Sequence, residues 1–115
     1  MFTSHKSKSV AAVNLINEIA NNNSEVKFVF FDQIHLTESE VEQLAQALEK
    51  NTHLSYISLL DCSLDEQKIA KLIPAFEKNN NLIGVGIEKF KNDNTNTINM
   101  IDKIESYIER NRTII

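Results

Sequence analysis

The chain has 115 residues, of which 42% are apolar, with 16 acidic against 12 basic side chains and a single cysteine. This length is enough for one compact domain with its own core, and one cysteine excludes a disulfide framework or a multi-cysteine zinc site. A net charge of -4 without a basic run argues against nucleic acid as a partner, and no stretch approaches the roughly 20 apolar residues that cross a bilayer, so we expect no membrane contact and a cytoplasmic location.

Four helices are predicted from residues that favour the N-cap, the position just before a helix begins. Each of these residues is followed by apolar residues at helical spacing. The first helix carries Val13, Ile16 and Ala20. The predicted N-cap residues of the four helices, in chain order, are Ser9, Thr37, Asp65 and Thr97.

Three short strands are predicted between these helices. The segments are apolar and rich in β-branched or aromatic residues, as strands are. They span 26–31, 54–59 and 82–87, so the predicted order of elements is α-β-α-β-α-β-α.

An internal repeat of 28 residues is the strongest pattern in the chain, because residues 26–53 overlay 54–81 position by position. We divide the single domain, residues 1–115, into an N-terminal half repeat, two full repeats and a degenerate third repeat: 9–25, 26–53, 54–81 and 82–111. An asparagine ends the helix in each unit, at Asn23, Asn51, Asn79 and Asn111.

Strands that alternate with helices at a constant short spacing run parallel, because each helix returns the chain to the edge that it left. Units of this size bury their apolar faces only against one another. The sequence therefore predicts an α/β solenoid in which each strand-and-helix unit stacks on the next.

Residues 54–64 carry the pattern LxxLxLxxCxL, with Leu54, Ile57, Leu59, Cys62 and Leu64 at its fixed positions. This resembles a leucine-rich repeat, and the repeat length is similar to that of the ribonuclease-inhibitor class. The resemblance implies a right-handed solenoid with parallel strands on a concave face and helices on a convex face. It also implies a non-enzymatic module that binds a protein on the concave face, such as an adaptor, an inhibitor or a bacterial effector delivered into a host cytosol.

The expected contact residues are the side chains that alternate with core positions along the strands, since successive strand residues point to opposite faces. Aromatic and apolar side chains among them form the kind of patch from which binding hot spots are built. They are Phe28, Phe30, Asp32, Tyr56, Ser58, Leu60 and Glu88. The alternative is that an N-terminal arm, residues 1–8, or a second copy of the chain covers this patch.

Gly84 and Gly86 are the only glycines and lie two apart in the third strand, where missing side chains let a bulky group approach the backbone. They do not fit the frame of a phosphate-binding loop.

We expect neither catalysis nor a cofactor or metal. Asp32, Asp61 and Glu88 fall near the carboxyl ends of the strands, where parallel sheets place ligands, but solvated loop acids explain them more simply. Cys62 is expected to be a buried core thiol.

The first strand lies at the edge of the predicted sheet and carries little that discourages pairing. An alternative function is therefore that of a self-associating structural protein, a homodimer formed through edge strand 26–31.

Overall fold

A computed structural model describes residues 4–89 and 94–113. Helices and strands alternate along these residues, as the sequence predicts. The elements are α1 (Ser4–Ala20), β1 (Phe28–Phe30), α2 (Glu38–Lys50), β2 (Tyr56–Ser58), α3 (Glu66–Lys78), β3 (Gly84–Gly86) and α4 (Thr95–Arg112).

The three strands form one parallel sheet in the order β1-β2-β3. Phe28 pairs with Tyr56 and Tyr56 pairs with Gly84, so neighbouring strands are in register at an offset of 28 residues. This confirms an α/β fold with parallel strands. Each strand has three residues and is shorter than predicted, although hydrogen bonds such as Phe31 N–H to Ser58 C=O (2.9 Å) continue the pairing past its end.

One apolar core lies between the sheet and the helices. It contains the fixed positions of the repeat pattern, with Leu54, Ile57, Leu59 and Cys62 all buried and Leu64 packed against them. Burying an apolar side chain of this size contributes about 1.5–3 kcal/mol, and here it depends on a neighbouring unit to cover it. The right-handed sense of the solenoid stays a prediction, from the general preference of parallel β-α-β units.

Two of the four predicted helix starts are correct. The side chain of Thr37 accepts the N–H of Glu40, whose carboxylate in turn accepts the N–H of Thr37, and this reciprocal pair fixes the start of α2. Asp65 caps α3 in the same way through the N–H of Lys68, at 2.9 Å.

The other two predicted starts are wrong. The first helix begins at Ser4, so Ser9 lies within it. The last helix is capped by Asn94, which accepts the N–H of Thr97 at 2.8 Å, and Thr97 is buried in the first turn of α4. Both helices are longer than the repeat alone predicts, because each extends before the position at which α2 and α3 begin.

The buried stripe of α1 also differs from the prediction. Ala12, Ile16 and Ile19 are buried, whereas Val13 is 42% exposed and Ala20 is exposed. In α2 the equivalent residues, Val41, Leu44 and Leu48, are all buried. No strand precedes α1 in the described residues, so α1 packs along α2 with a different side inward.

Buried asparagines join the units at the helix ends. The amide of Asn79 donates to the C=O of Leu48 (2.8 Å) and of Asn51 (3.1 Å), and its oxygen accepts the N–H of Leu82 (2.9 Å). Asn51 and Asn111 make equivalent bonds to the unit before them. Asn51 and Asn79 each satisfy backbone groups of the units before and after their own, which would otherwise be unpaired.

None of the helices described is both long enough and apolar enough to cross a membrane.

Candidate functional site

The strand face of the sheet, formed by the even-numbered strand residues, is the candidate site. Along β1 the side chain of Val29 is buried in the core, while Phe28 is 64% exposed and Phe30 is 56% exposed. This is the alternation expected of a strand with one covered face. The two Phe residues are therefore presented to solvent on the face that the sequence predicts.

Tyr56 lies next to Phe30, and its ring extends across the strand that follows. The ring centroids of Phe30 and Tyr56 are 5.7 Å apart and tilted by 48°, an arrangement that favours aromatic contact. A Cβ atom at Gly84 would come within 2.6 Å of Tyr56 Cδ1, and one at Gly86 within 2.7 Å of the Tyr56 hydroxyl oxygen. The bulky group that the two glycines admit is thus the ring of Tyr56.

Leu60 and Ser58 complete the middle of the strand face. A Cβ at Gly86 would lie 3.4 Å from Cγ of Leu60, so this half-buried side chain also leans over the glycines. Ser58 is only 1% exposed, unlike the other predicted contact residues. Its hydroxyl donates to the carboxylate of Asp32 and is covered by its neighbours, so it positions Asp32 rather than offering surface of its own.

Acidic side chains lie at the carboxyl end of the strands. Asp32, Asp61 and Glu88 are all exposed, and a carboxylate oxygen of Glu88 accepts the N–H of Asp61 at 2.7 Å. Asp61 has a φ of 56°, a left-handed conformation that short polar side chains tolerate best. This end of the strand face is therefore both solvent-exposed and negatively charged.

Cys62 lies below these acids and is part of the core, as predicted. Its thiol donates to the C=O of Phe31 at 3.1 Å. Burial raises the pKa of Cys62 to about 11, and the nearby carboxylates act in the same direction. A thiol held in its neutral form in this way is a poor nucleophile.

In the described part of the chain, no group of three or more His, Cys, Asp and Glu side chains is arranged to hold a metal ion. Among the acids at the carboxyl end of the strands, Asp32 and Glu88 accept hydrogen bonds from within the protein instead.

The outer edge of β1 pairs with no strand of the described residues. The C=O of Lys27 and the N–H groups of Phe31 and Gln33 point towards β2. Because backbone groups alternate in direction along a strand, the N–H and C=O groups of Phe28 and Phe30 point away from β2, where the described residues form no further strand. Of the predicted N-terminal arm, residues 4–8 belong to α1 and form no strand on this edge, while residues 1–3 lie outside the described residues.

The edge of β3 is less open, a feature that the sequence analysis did not anticipate. The guanidinium of Arg112 donates to the C=O of Ile83 at 2.7 Å, and the amide of Asn111 donates to the C=O of Leu82 at 2.8 Å. The asparagine that recurs at the end of each helix is the sequence feature from which the bond of Asn111 could have been predicted. Nothing in the repeat pattern indicates the bond from Arg112, because the equivalent residues in the two full repeats are Thr52 and Asn80.

No family model and no curated protein sequence matches the chain. Among solved structures, it is similar to the tropomodulin C-terminal domain of Caenorhabditis elegans. The two share 13% sequence identity and a TM-score of 0.43, over 88% of this chain and 93% of that chain. A likeness of this degree carries no argument about function.

Proposed function

We propose that the protein is a non-enzymatic interaction module that binds a protein partner through the strand face of its sheet. The observation that carries this proposal is the pair Phe28 and Phe30, two large aromatic side chains more than half exposed and side by side on one strand. Tyr56 and Leu60 extend the apolar surface across the neighbouring strand.

Exposed aromatic residues are the side chains from which binding hot spots are most often built, because they bury a large area at a small cost in conformational entropy. Tyr56 is held between Phe30 and the glycines, so it is ordered before a partner arrives. An ordered surface loses less entropy on binding than a mobile one.

The negative charge at the carboxyl end of the strands indicates which chemical groups the partner should carry. Asp32 and Glu88 lie there beside the apolar surface, in a protein whose net charge is -4. The partner would place an apolar group against the Phe residues and a basic group near these acids. Opposite charges arranged in this way increase the association rate and select the orientation of binding.

Affinity capture from a lysate with matched variants tests this proposal. The test variant is Phe28→Ala/Phe30→Ala, and the control is Val10→Ala/Val13→Ala, which removes two exposed apolar side chains from α1 instead. A protein captured by the wild type is purified, and its affinity for each variant is measured.

We expect the control to bind as the wild type does and the test variant to bind at least about tenfold more weakly. Equal affinity for the test variant and the wild type would refute the assignment of the strand face.

A further inference from the structure

A carboxylate lies beside the exposed aromatic rings in the middle of the strand face. The hydroxyl of Ser58 donates to Oδ1 of Asp32, which holds this carboxylate over the neighbouring strand. Ser58 is the register partner of Phe30, and Asp32 follows Phe30 on the same face two residues later. The carboxylate of Asp32 and the ring of Phe30 are therefore neighbours.

Gly86 shows that Tyr56 belongs to the same group of side chains. A Cβ atom at Gly86 would lie 2.7 Å from the Tyr56 hydroxyl oxygen and 3.0 Å from Ser58 Oγ, so both hydroxyls border one point of the face. The rings of Tyr56 and Phe30 are in turn 5.7 Å apart between centroids. Phe30, Tyr56 and Asp32 thus form one continuous surface, which we call the aromatic-acid patch.

The carboxylate of Asp32 has capacity for a further bond. Among residues 4–89 and 94–113, the hydroxyl of Ser58 is its one side-chain donor, and none of the ion pairs includes it. An ionised carboxylate offers about four acceptor positions on its two oxygens. Because Ser58 is buried and fixes the carboxylate, a group that approaches from solvent meets an oriented acceptor.

The side chain that suits this patch is arginine. A cation is attracted both to the face of an aromatic ring and to a carboxylate. The guanidinium of arginine is planar, stacks on aromatic rings and donates two parallel hydrogen bonds to one carboxylate. The ammonium of lysine is a compact and strongly hydrated charge, so it matches this combination less well.

We infer that the aromatic-acid patch binds an arginine side chain of the protein partner. The guanidinium stacks against Phe30 and Tyr56 and donates to Asp32, while Phe28, at the other end of β1, contacts an apolar side chain of the same partner. This inference rests on the proposed function, because it names the group that the strand face recognises.

Selection from a library of random displayed peptides tests the inference without a known partner. The full chain and two variants are used in parallel. Asp32→Asn removes the charge but keeps an oxygen that can accept the bond from Ser58. The control, Glu18→Gln, removes an exposed acid from α1 instead. We expect the wild type and the control to select peptides enriched in arginine, at least about threefold over those that Asp32→Asn selects.

One peptide selected by the wild type is then synthesised in three forms, with arginine, citrulline or lysine at the enriched position. Citrulline has nearly the same shape as arginine but no charge. We expect the wild type to bind the citrulline and lysine forms at least about tenfold more weakly than the arginine form. For Asp32→Asn the arginine and citrulline forms should differ much less, because the carboxylate that distinguishes them is gone.

A selection that yields no peptide, or peptides no richer in arginine than those from Asp32→Asn, overturns the inference. Equal affinity of the wild type for the arginine form and either replacement also overturns it. Circular dichroism verifies that both variants fold.

The proposed function fails separately. Selected peptides that lack arginine, and whose binding is lost in Phe28→Ala/Phe30→Ala, would support the strand face as a binding surface and overturn only its preference for arginine.

Discussion

The ring of Tyr56 lies directly above Gly84, at a distance that leaves no room for even a methyl group. A Cβ at this position would approach Tyr56 Cδ1 to 2.6 Å, well inside van der Waals contact. The third repeat thus has glycines where the first has Phe28 and Phe30, and the side chain of the second repeat fills the space.

We therefore expect Gly84→Ala to displace the Tyr56 ring and to lower the free energy of unfolding by about 1–3 kcal/mol, the usual cost of overpacking. Urea denaturation measures this change. In a Tyr56→Ala background the same substitution should cost much less, since the clashing ring is gone. Equal costs in both backgrounds would mean that Tyr56 does not occupy this position.

The buried asparagine between repeats is a second point of sensitivity. Asn79→Ala removes hydrogen bonds to the C=O groups of Leu48 and Asn51 and to the N–H of Leu82. Each buried group left unpaired costs about 1–3 kcal/mol, so we expect a loss of at least about 3 kcal/mol in unfolding free energy. The adjacent Asn80 is exposed, and Asn80→Ala should change stability by less than about 0.5 kcal/mol. Similar losses for the two variants would contradict the role of Asn79.

Pro74 lies inside α3, on its exposed side, and α3 runs through it from Glu66 to Lys78. Proline removes a helical N–H and crowds the preceding turn. The equivalent residue in α2 is Gln46, also exposed and helical. Copying that residue, Pro74→Gln, should raise the free energy of unfolding by about 1–3 kcal/mol. Thermal and urea unfolding measure the gain, and a loss of stability would show that the fold needs the proline.

Because of Cys62, we expect the stability of the folded protein to depend on pH under alkaline conditions. Its pKa is raised by burial to about 11 in the folded protein, whereas the unfolded thiol titrates near its ordinary value of 9.0. Between these two values the unfolded chain binds fewer protons than the folded one, so stability falls as the pH rises. Below about pH 9 both states hold the proton and this contribution is constant.

Comparison with Cys62→Ala isolates the effect of the thiol from that of other titrating groups. We expect the unfolding free energy of the wild type to fall more steeply than that of the variant between about pH 9 and pH 11. Parallel profiles would show that the folded protein does not hold the thiol neutral.

Much of the fold could be predicted from the sequence, because a repeat multiplies each weak local signal. The register of Phe28, Tyr56 and Gly84 follows directly from the 28-residue offset, and so do the caps at Thr37 and Asp65. The prediction fails where a unit lacks a neighbour. Val13 is exposed in α1 because the strand that would cover it is absent from the described chain.

The candidate site could be predicted only in part. Alternation along β1 is enough to place Phe28 and Phe30 on the open face. The burial of Ser58 could not be foreseen, because it depends on how neighbouring side chains lean across the sheet and on its bond to Asp32. Sequence spacing fixes which face a residue is on, and long side chains from adjacent strands then decide how much of it is exposed.

The central claim of this account is that residues 28–31 present Phe28 and Phe30 to solvent and bury Val29 and Phe31 in the core. The most direct measurement compares the unfolding free energies of Phe30→Ala and Phe31→Ala, which truncate the same side chain at adjacent positions. Phe31 is 0% exposed and Phe30 is 56% exposed. We predict a loss of about 3–5 kcal/mol for Phe31→Ala and of less than about 1 kcal/mol for Phe30→Ala. Equal losses, or a larger loss at Phe30, would contradict the account.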